Sequence, residues 1–441
     1  MSILKNSILN VVWLALGAML MIVFARLGLN INLPVVLLLV VSIIPALLGN
    51  PSQFVAMLLT FIPLGTAFQY KYALLLYLII GIIRFRKQLS ISNVVIVIAL
   101  MMIWELLHGL YADFSYNEFL RDFAQLLILG FVTSLKLDNI DYKLISRSLV
   151  FSVIGVSLII IYIKVNSGFG GFFEMLAEST TGDRFGQYTT EDGAAYGLNF
   201  NANGLGFICN MAIASLLILI ARKEYKLLDI VMLIVLIFLG AMTLSRTFVV
   251  VCSFLFFSFI ILTPGTANQR AKSISLLLVV FALFVYCLFV YAPSIVENFI
   301  ARNDTNDITN GRAFLMEFYH NHIFSSFEYC FWGIGLQGYG TKIVEIYGRN
   351  IGVCHNGIQE IWVTWGFVGI LLFILMILAM IWTSRKYSYN RNVFAYIPLC
   401  ALFFSSMAGQ LLSSGTYMLA LTFVYIVMCL RWNNIKSHVT R

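Results

Sequence analysis

Asn356-Gly357-Ile358-Gln359-Glu360-Ile361-Trp362-Val363-Thr364-Trp365-Gly366-Phe367-Val368-Gly369 opens a run that continues to Trp382 with no charged side chain after Glu360. About 20 apolar residues in a helix cross the hydrocarbon of a bilayer. Residues 357–382 exceed that length, so this stretch reads as a membrane span. It leads out of the longest polar interruption in the chain, Pro293 to Trp365. That interruption carries Arg302, Asp304, Asp307, Gly311-Arg312, His320, the glycine-dense Gly333-Ile-Gly335-Leu-Gln-Gly338-Tyr-Gly340 and Cys354-His355. No other segment combines so many groups able to hold an anion or move a proton.

The rest of the chain reads as scaffold of the same kind. Of 441 residues, 61% are hydrophobic and 11% charged, against roughly a quarter charged in a soluble domain. Mean hydropathy is +0.92. The span-length criterion finds about 14 candidates, with a range of 12–14. They lie near 8–25, 31–49, 53–69, 71–84, 93–109, 119–135, 144–165, 202–221, 227–243, 246–263, 273–292, 357–382, 393–412 and 415–431. The expected fold is an all-α polytopic integral membrane protein. It forms a single membrane domain over 1–441, with two larger outer loops near 166–201 and 293–356. The first apolar run, Ile8 to Ala25, lacks a small-residue cleavage site and reads as a retained helix.

The net charge of +8 is explained by basic residues flanking membrane helices. No basic run interleaves with aromatics as single-strand binders require, so no nucleic-acid partner is expected. With both termini inside, the inner segments hold clusters such as Arg84, Arg86 and Lys87, then Lys136, Lys143 and Arg147, and later Arg222, Lys223 and Lys226. Of the seven cysteines, Cys330 and Cys354 share the outer loop, where an oxidising compartment would allow them to pair. Residues 312–324 read as a short amphipathic helix lying on the membrane surface, capped by Asn310.

Several basic residues oppose the orientation bias. Arg26, Lys71 and Lys164 stand at helix ends, where long side chains snorkel. Arg121, Arg184, Arg246, Arg302, Arg312, Lys342 and Arg349 need another account. Arg246 stands in Thr243-Leu244-Ser245-Arg246-Thr247, between two apolar runs with almost no loop. A charge held there is costly and marks either function or pairing. It fits an outward-facing anion site, since the guanidinium fork matches phosphate oxygens. The structural alternative is an ion pair, for example with Glu105 or Glu360.

Four pieces of sequence give a resemblance to the O-antigen polymerase and O-antigen ligase superfamily of bacterial surface-polysaccharide assembly. They are Arg184-x-Gly186 with Asn201-Ala-Asn203-Gly204-Leu-Gly206; Leu244-Ser245-Arg246-Thr247; Gly311-Arg312 with Gly333-x-Gly335-x-x-Gly338; and His355-Asn356 with Trp365-Gly366-Phe-Val-Gly369. They cover residues 184–382. The resemblance implies a membrane glycosyltransferase at the outer face of the bacterial cytoplasmic membrane, acting on undecaprenyl-diphosphate-linked oligosaccharides. In that reading Arg184, Arg246 and Arg312 hold the diphosphate leaving group, and His355 takes the acceptor's proton. Arg302, Asn203, Glu360 and Glu105 are further members of the site. A structural reading of His355 stands beside this, as a polar residue before the helix that starts near Ile358. The partners implied are the lipid-linked oligosaccharides, the bilayer and a chain-length regulator.

Other motifs fail on context. Gly333-Ile-Gly335-Leu-Gln-Gly338 matches a dinucleotide pattern but has no βαβ setting. Its amides remain able to cradle a phosphate. His320 and His322 lack a third ligand, there is no Walker motif, and no cofactor or metal is expected. Glu105 and His108 share a helix face, either joining the site or pairing internally. The leading expectation is a repeat-unit polymerase. The alternatives are a ligase that moves glycan to another lipid carrier and, from another class, a lipid-linked oligosaccharide flippase.

Overall fold

The structure is a computed structural model. It describes residues 2–64, 70–110, 115–137, 140–167, 185, 202–262, 312–337, 339–348, 354–387, 393–409, 411–412 and 415–432, with scattered positions between 268 and 297. The fold is all-helical, with no strand among the described residues. In order, the helices are α1 (Ser2–Leu27), α2 (Val36–Leu48), α3 (Pro51–Leu59), α4 (Phe61–Leu64), α5 (Tyr70–Phe85), α6 (Asn93–His108), α7 (Tyr116–Ser134) and α8 (Tyr142–Ser167). They continue as α9 (Ala202–Ala221), α10 (Leu227–Met242), α11 (Arg246–Leu262), α12 (Arg312–Ile323), α13 (Phe327–Phe331), α14 (Tyr339–Tyr347), α15 (Gly357–Ser384), α16 (Ile397–Ser406) and α17 (Gly415–Met428).

Three segments among the described residues are long and apolar enough to cross a membrane: Tyr142–Asn166, Ala202–Ala221 and Gly357–Ser384. Nine further apolar helices are shorter, at 10–17 residues. The expected span 53–69 is divided into α3 and α4, and 393–412 ends its helix at Ser406. The span 273–292 lies largely outside the described residues.

α9 is the centre of the bundle, with 94% of its apolar window buried. It packs against α8, α10, α11 and α16. A helix apolar on every face belongs in such a position. Around Phe54 of α3, the rings of Tyr77, Phe85 and Phe131 close a second part of the core at centroid distances of 5.1, 5.5 and 5.6 Å. Breaks and starts are written locally. Asn50 and Gln53 form a reciprocal cap around Pro51, at 3.0 and 2.9 Å. Where α10 begins, Asp229 accepts from the Lys226 amide and takes Arg147 of α8 at 2.9 and 2.8 Å. That pair closes the end of α10 remote from Arg246.

α15 is broken in its interior. Gly366 has φ +64°, and a Cβ there would meet the Phe331 carbonyl at 2.1 Å. Only glycine allows both the left-handed backbone and this approach. The break frees carbonyls that would otherwise bond along the helix, and each finds an outside donor. Val363 and Thr364 accept from the Ile334 and Gly335 amides at 2.9 and 2.7 Å, and Trp365 accepts from Trp104 Nε1 at 3.0 Å.

The polar interruption is therefore built, where described, as three short helices, α12–α14, around a small core. Tyr319, Ile323, Tyr339, Ile343, Cys354 and Val363 form it. The helix expected over 312–324 is present as α12, and it packs against the first turns of α15. Cys330 and Cys354 are both free thiols, so the disulfide is not formed. Asn310 lies outside the described residues.

Candidate functional site

Several candidate groups stand at the start of a helix. At α11, Thr243 donates to the Gly240 carbonyl at 2.6 Å, Leu244 takes φ +49°, and Ser245 Oγ accepts from the Phe248 amide at 3.3 Å. This tight corner leaves Arg246 as the first residue of the helix. Arg312 is the first residue of α12. Asn356 caps α15, accepting from the Ile358 and Gln359 amides at 3.0 and 3.2 Å, and so holds His355 just ahead of that helix. Asn203 is second in α9, and Tyr417 third in α17.

Packing brings these starts to one end of the bundle. Gly206 of α9 is close enough to Ser245 and Thr243 that a Cβ would touch both, at 3.4 and 3.3 Å. Phe207 stacks on Tyr417 with centroids 3.9 Å apart and planes at 10°. A Cβ on Gly357 would meet Leu411 and Ser406, just ahead of α17. Gln359 Nε2 donates to the Met316 carbonyl at 3.0 Å and ties α12 to α15.

The electrostatics follow. Arg312 is half-buried, and burial lowers its guanidinium from the ordinary value; Tyr417 opposes the shift and Arg246 adds to it. An arginine remains charged at neutral pH even so. Among the described residues Arg312 forms no ion pair with an acid. His355 is half-buried too. Burial first, and the Arg312 charge second, hold its imidazole below the ordinary range. At pH 7 it is neutral and able to accept a proton. Helix N-termini carry partial positive charge, and here the starts of α11 and α12 also carry Arg246 and Arg312, whose charges act on one another. Such an end suits a ligand with more than one negative charge.

The two acids proposed as members of the site both accept from backbone amides. Glu360 is buried, and its Oε2 accepts from the Leu411 amide and, at 2.8 Å, from the Leu412 amide. It fastens the chain ahead of α17 to the first turn of α15. Glu105 is buried in α6 and accepts from the Leu336 and Gln337 amides at 3.0 and 3.1 Å and from Trp365 Nε1 at 2.7 Å. At these described positions the glycine-dense loop does not offer its amides to a phosphate. The amides of Ile334, Gly335, Leu336 and Gln337 are all taken, by α15 carbonyls or by Glu105. His108 pairs with the same loop and not with Glu105, its ring nitrogens facing the Trp104 and Trp332 carbonyls at 2.9 Å each.

His320 is exposed. His322, expected at an interface, is buried against Tyr329 and bonded to the Tyr347 hydroxyl at 2.6 Å. Lys164 is buried and does not snorkel. Arg184, Arg302 and Arg349 lie outside the described residues, as does the side chain of Arg121. Tyr417 was missed by sequence reasoning. It stands at the start of the last expected span, 415–431. Neither a protein-family model nor a curated protein matches the chain.

Proposed function

We propose that this chain is a multi-pass membrane glycosyltransferase of about 14 spans, at the outer face of the bacterial cytoplasmic membrane. In this reading it polymerises undecaprenyl-diphosphate-linked oligosaccharide repeat units. The observation that carries the reading is that Arg312 lies near enough to both Arg246 and His355 for its charge to act on each. They come from separate parts of the sequence, and Arg312 has no acid partner among the described residues.

The chemistry asked of them is one displacement. An acceptor hydroxyl attacks the anomeric carbon of the donor sugar, and a new carbon–oxygen bond forms. The bond from that carbon to the lipid diphosphate breaks, and its electron pair leaves on the diphosphate oxygen. Arg246 and Arg312 stabilise the charge gathering there. His355, neutral beforehand, takes the hydroxyl proton. Asn203 and Tyr417 stand at the same end of the bundle, as donors to sugar or phosphate oxygens.

The test is deletion of the gene, followed by gel analysis of surface polysaccharide and reconstitution of the purified protein with lipid-linked repeat units. Single capped repeats in the deletion strain, and chain growth in the reconstituted reaction, are the expected results. Long chains stranded on the lipid carrier would make the protein a ligase. Unchanged glycan would overturn both. Orientation is checked with a cysteine at position 305 and an impermeant thiol reagent, which should label intact cells.

A further inference from the structure

The loop between α12 and α14 has an unusual combination of properties. Its backbone is irregular from Trp332 on, yet several of its polar groups are satisfied by groups brought from other elements. Leu336 and Gln337 donate to Glu105, and Ile334 and Gly335 donate to the broken turn of α15. The Cys330 carbonyl accepts from Trp362 Nε1 at 2.9 Å, and the Ile334 carbonyl accepts from Lys342 Nζ at 2.8 Å. The Trp332 carbonyl faces His108 Nε2. A loop in water needs none of these partners, because water supplies them. Irregular backbone at membrane depth needs all of them.

The side chains point the same way. Phe327 is 81% exposed, Phe324 53% and Phe331 40%. Phe327 and Phe331 stack on one face of α13, with planes at 7° and centroids 5.5 Å apart. α13 ends against Gly366, beside exposed Phe367. From Phe367 an exposed apolar stripe runs down α15 through Leu371, Ile374, Leu378 and Trp382. The aromatic face thus continues the surface of a helix long enough to cross a membrane. Glu328 is exposed on α13 as well, which suits a segment at the headgroup boundary better than one in the hydrocarbon centre.

We propose that Phe324–Phe331 is a membrane wedge, inserting its three phenylalanine rings into the headgroup–acyl boundary of the leaflet that faces α12–α14. It rests on the reading that the chain spans a membrane, and it is independent of the reaction assigned to the arginines. The wedge anchors the small core carrying Arg312 and His355 at a fixed height relative to the bilayer. Rings at that boundary lie about 5–10 Å into it.

The experiment uses the full chain in nanodiscs of phosphatidylethanolamine and phosphatidylglycerol. A ketone-bearing amino acid replaces Phe327, Phe331 or Leu375 and takes a spin label, which avoids the native thiols. Power saturation then compares collision with oxygen, which partitions into lipid, and with a water-soluble nickel chelate. Labels at 327 and 331 should favour oxygen, at shallower depth than the label at 375. Nickel-dominated collision at 327 and 331, with 375 still in lipid, overturns the wedge and leaves the membrane reading standing. So does protection from both agents, which would point to a protein partner on this face. A nickel-dominated label at 375 overturns the membrane reading and the wedge with it.

Discussion

Two ionisable centres lie within the same half of the molecule and are built on opposite principles. Around Glu105 every oxygen is spoken for: two loop amides and an indole N–H converge on a buried carboxylate. Around Arg312 the neighbours are Arg246, Tyr417 and His355, and no described acid pairs with it. The first centre has no capacity left for a ligand and spends its charge on holding the glycine-dense loop to α6 and α15. A half-buried charge with no acid partner among the described residues is costly, and the anion ligand proposed above would offset that cost.

The contrast breaks most sharply if the two centres respond alike to substitution. Arg312→Ala and Arg246→Ala should each lower turnover of a lipid-linked donor by about 100-fold or more, with protein level and melting temperature unchanged. Arg246→Lys should recover only part of the rate, because lysine keeps the charge and loses the planar fork. Glu105→Gln should do the reverse. It replaces one acceptor oxygen with an amino group facing N–H donors, and each orphaned buried group costs about 1–3 kcal/mol. The expected result is a lower thermal midpoint in detergent, with donor binding intact in what remains folded. A Glu105→Gln protein of normal stability and lost turnover would put Glu105 back in the active centre.

The sequence made the helices plain because apolar runs of span length leave few alternatives. It also singled out Arg246, which stands at a corner with almost no loop between two apolar runs. What it did not reveal depends on distant contacts. The destination of Glu105 is set by amides some 230 positions away along the chain, at Leu336 and Gln337. The break at Gly366 is invisible as such, since glycine is common in membrane helices; its meaning comes from the Phe331 carbonyl pressed against it. The meeting of helix starts at Asn203, Arg246, Arg312, Gly357 and Tyr417 has no local signature at all.

His355 sharpens the comparison within the second centre. His355→Ala should retain donor binding and lose about 100-fold in rate, because a base acts on the acceptor and not on the diphosphate. Its pH behaviour carries a sign. Burial and the Arg312 charge both lower the imidazole, so the neutral, proton-accepting form persists below the usual histidine range. The rate should therefore fall only when pH drops through that lowered value. Arg312→Gln removes a positive neighbour and should move the titration of His355 upward, as followed by NMR of labelled histidine with His355→Ala as the assignment control. A titration unmoved by Arg312→Gln would separate the two residues and leave burial alone as the cause.

The smallest effect expected is at Tyr417, and it decides whether the cluster ends at three residues. Its ring is held flat against Phe207, and its hydroxyl has the Ser405 carbonyl at 3.5 Å, the outer limit of a hydrogen bond. The hydroxyl also lies where a Cβ on Gly409 would come, at 2.8 Å. A phenol so weakly engaged, within reach of Arg312, is placed to donate to an oxygen of the same anion. Tyr417→Phe keeps the stack and deletes only that donor, so stability should hold. A neutral hydrogen bond contributes about 1 kcal/mol, and turnover should drop about fivefold, through weaker donor binding. Gly409→Ala should reproduce the loss by displacing the hydroxyl while leaving it present. Full activity in Tyr417→Phe would confine the anion to the arginines, and a large loss of folded protein would make Tyr417 part of the α9–α17 packing instead.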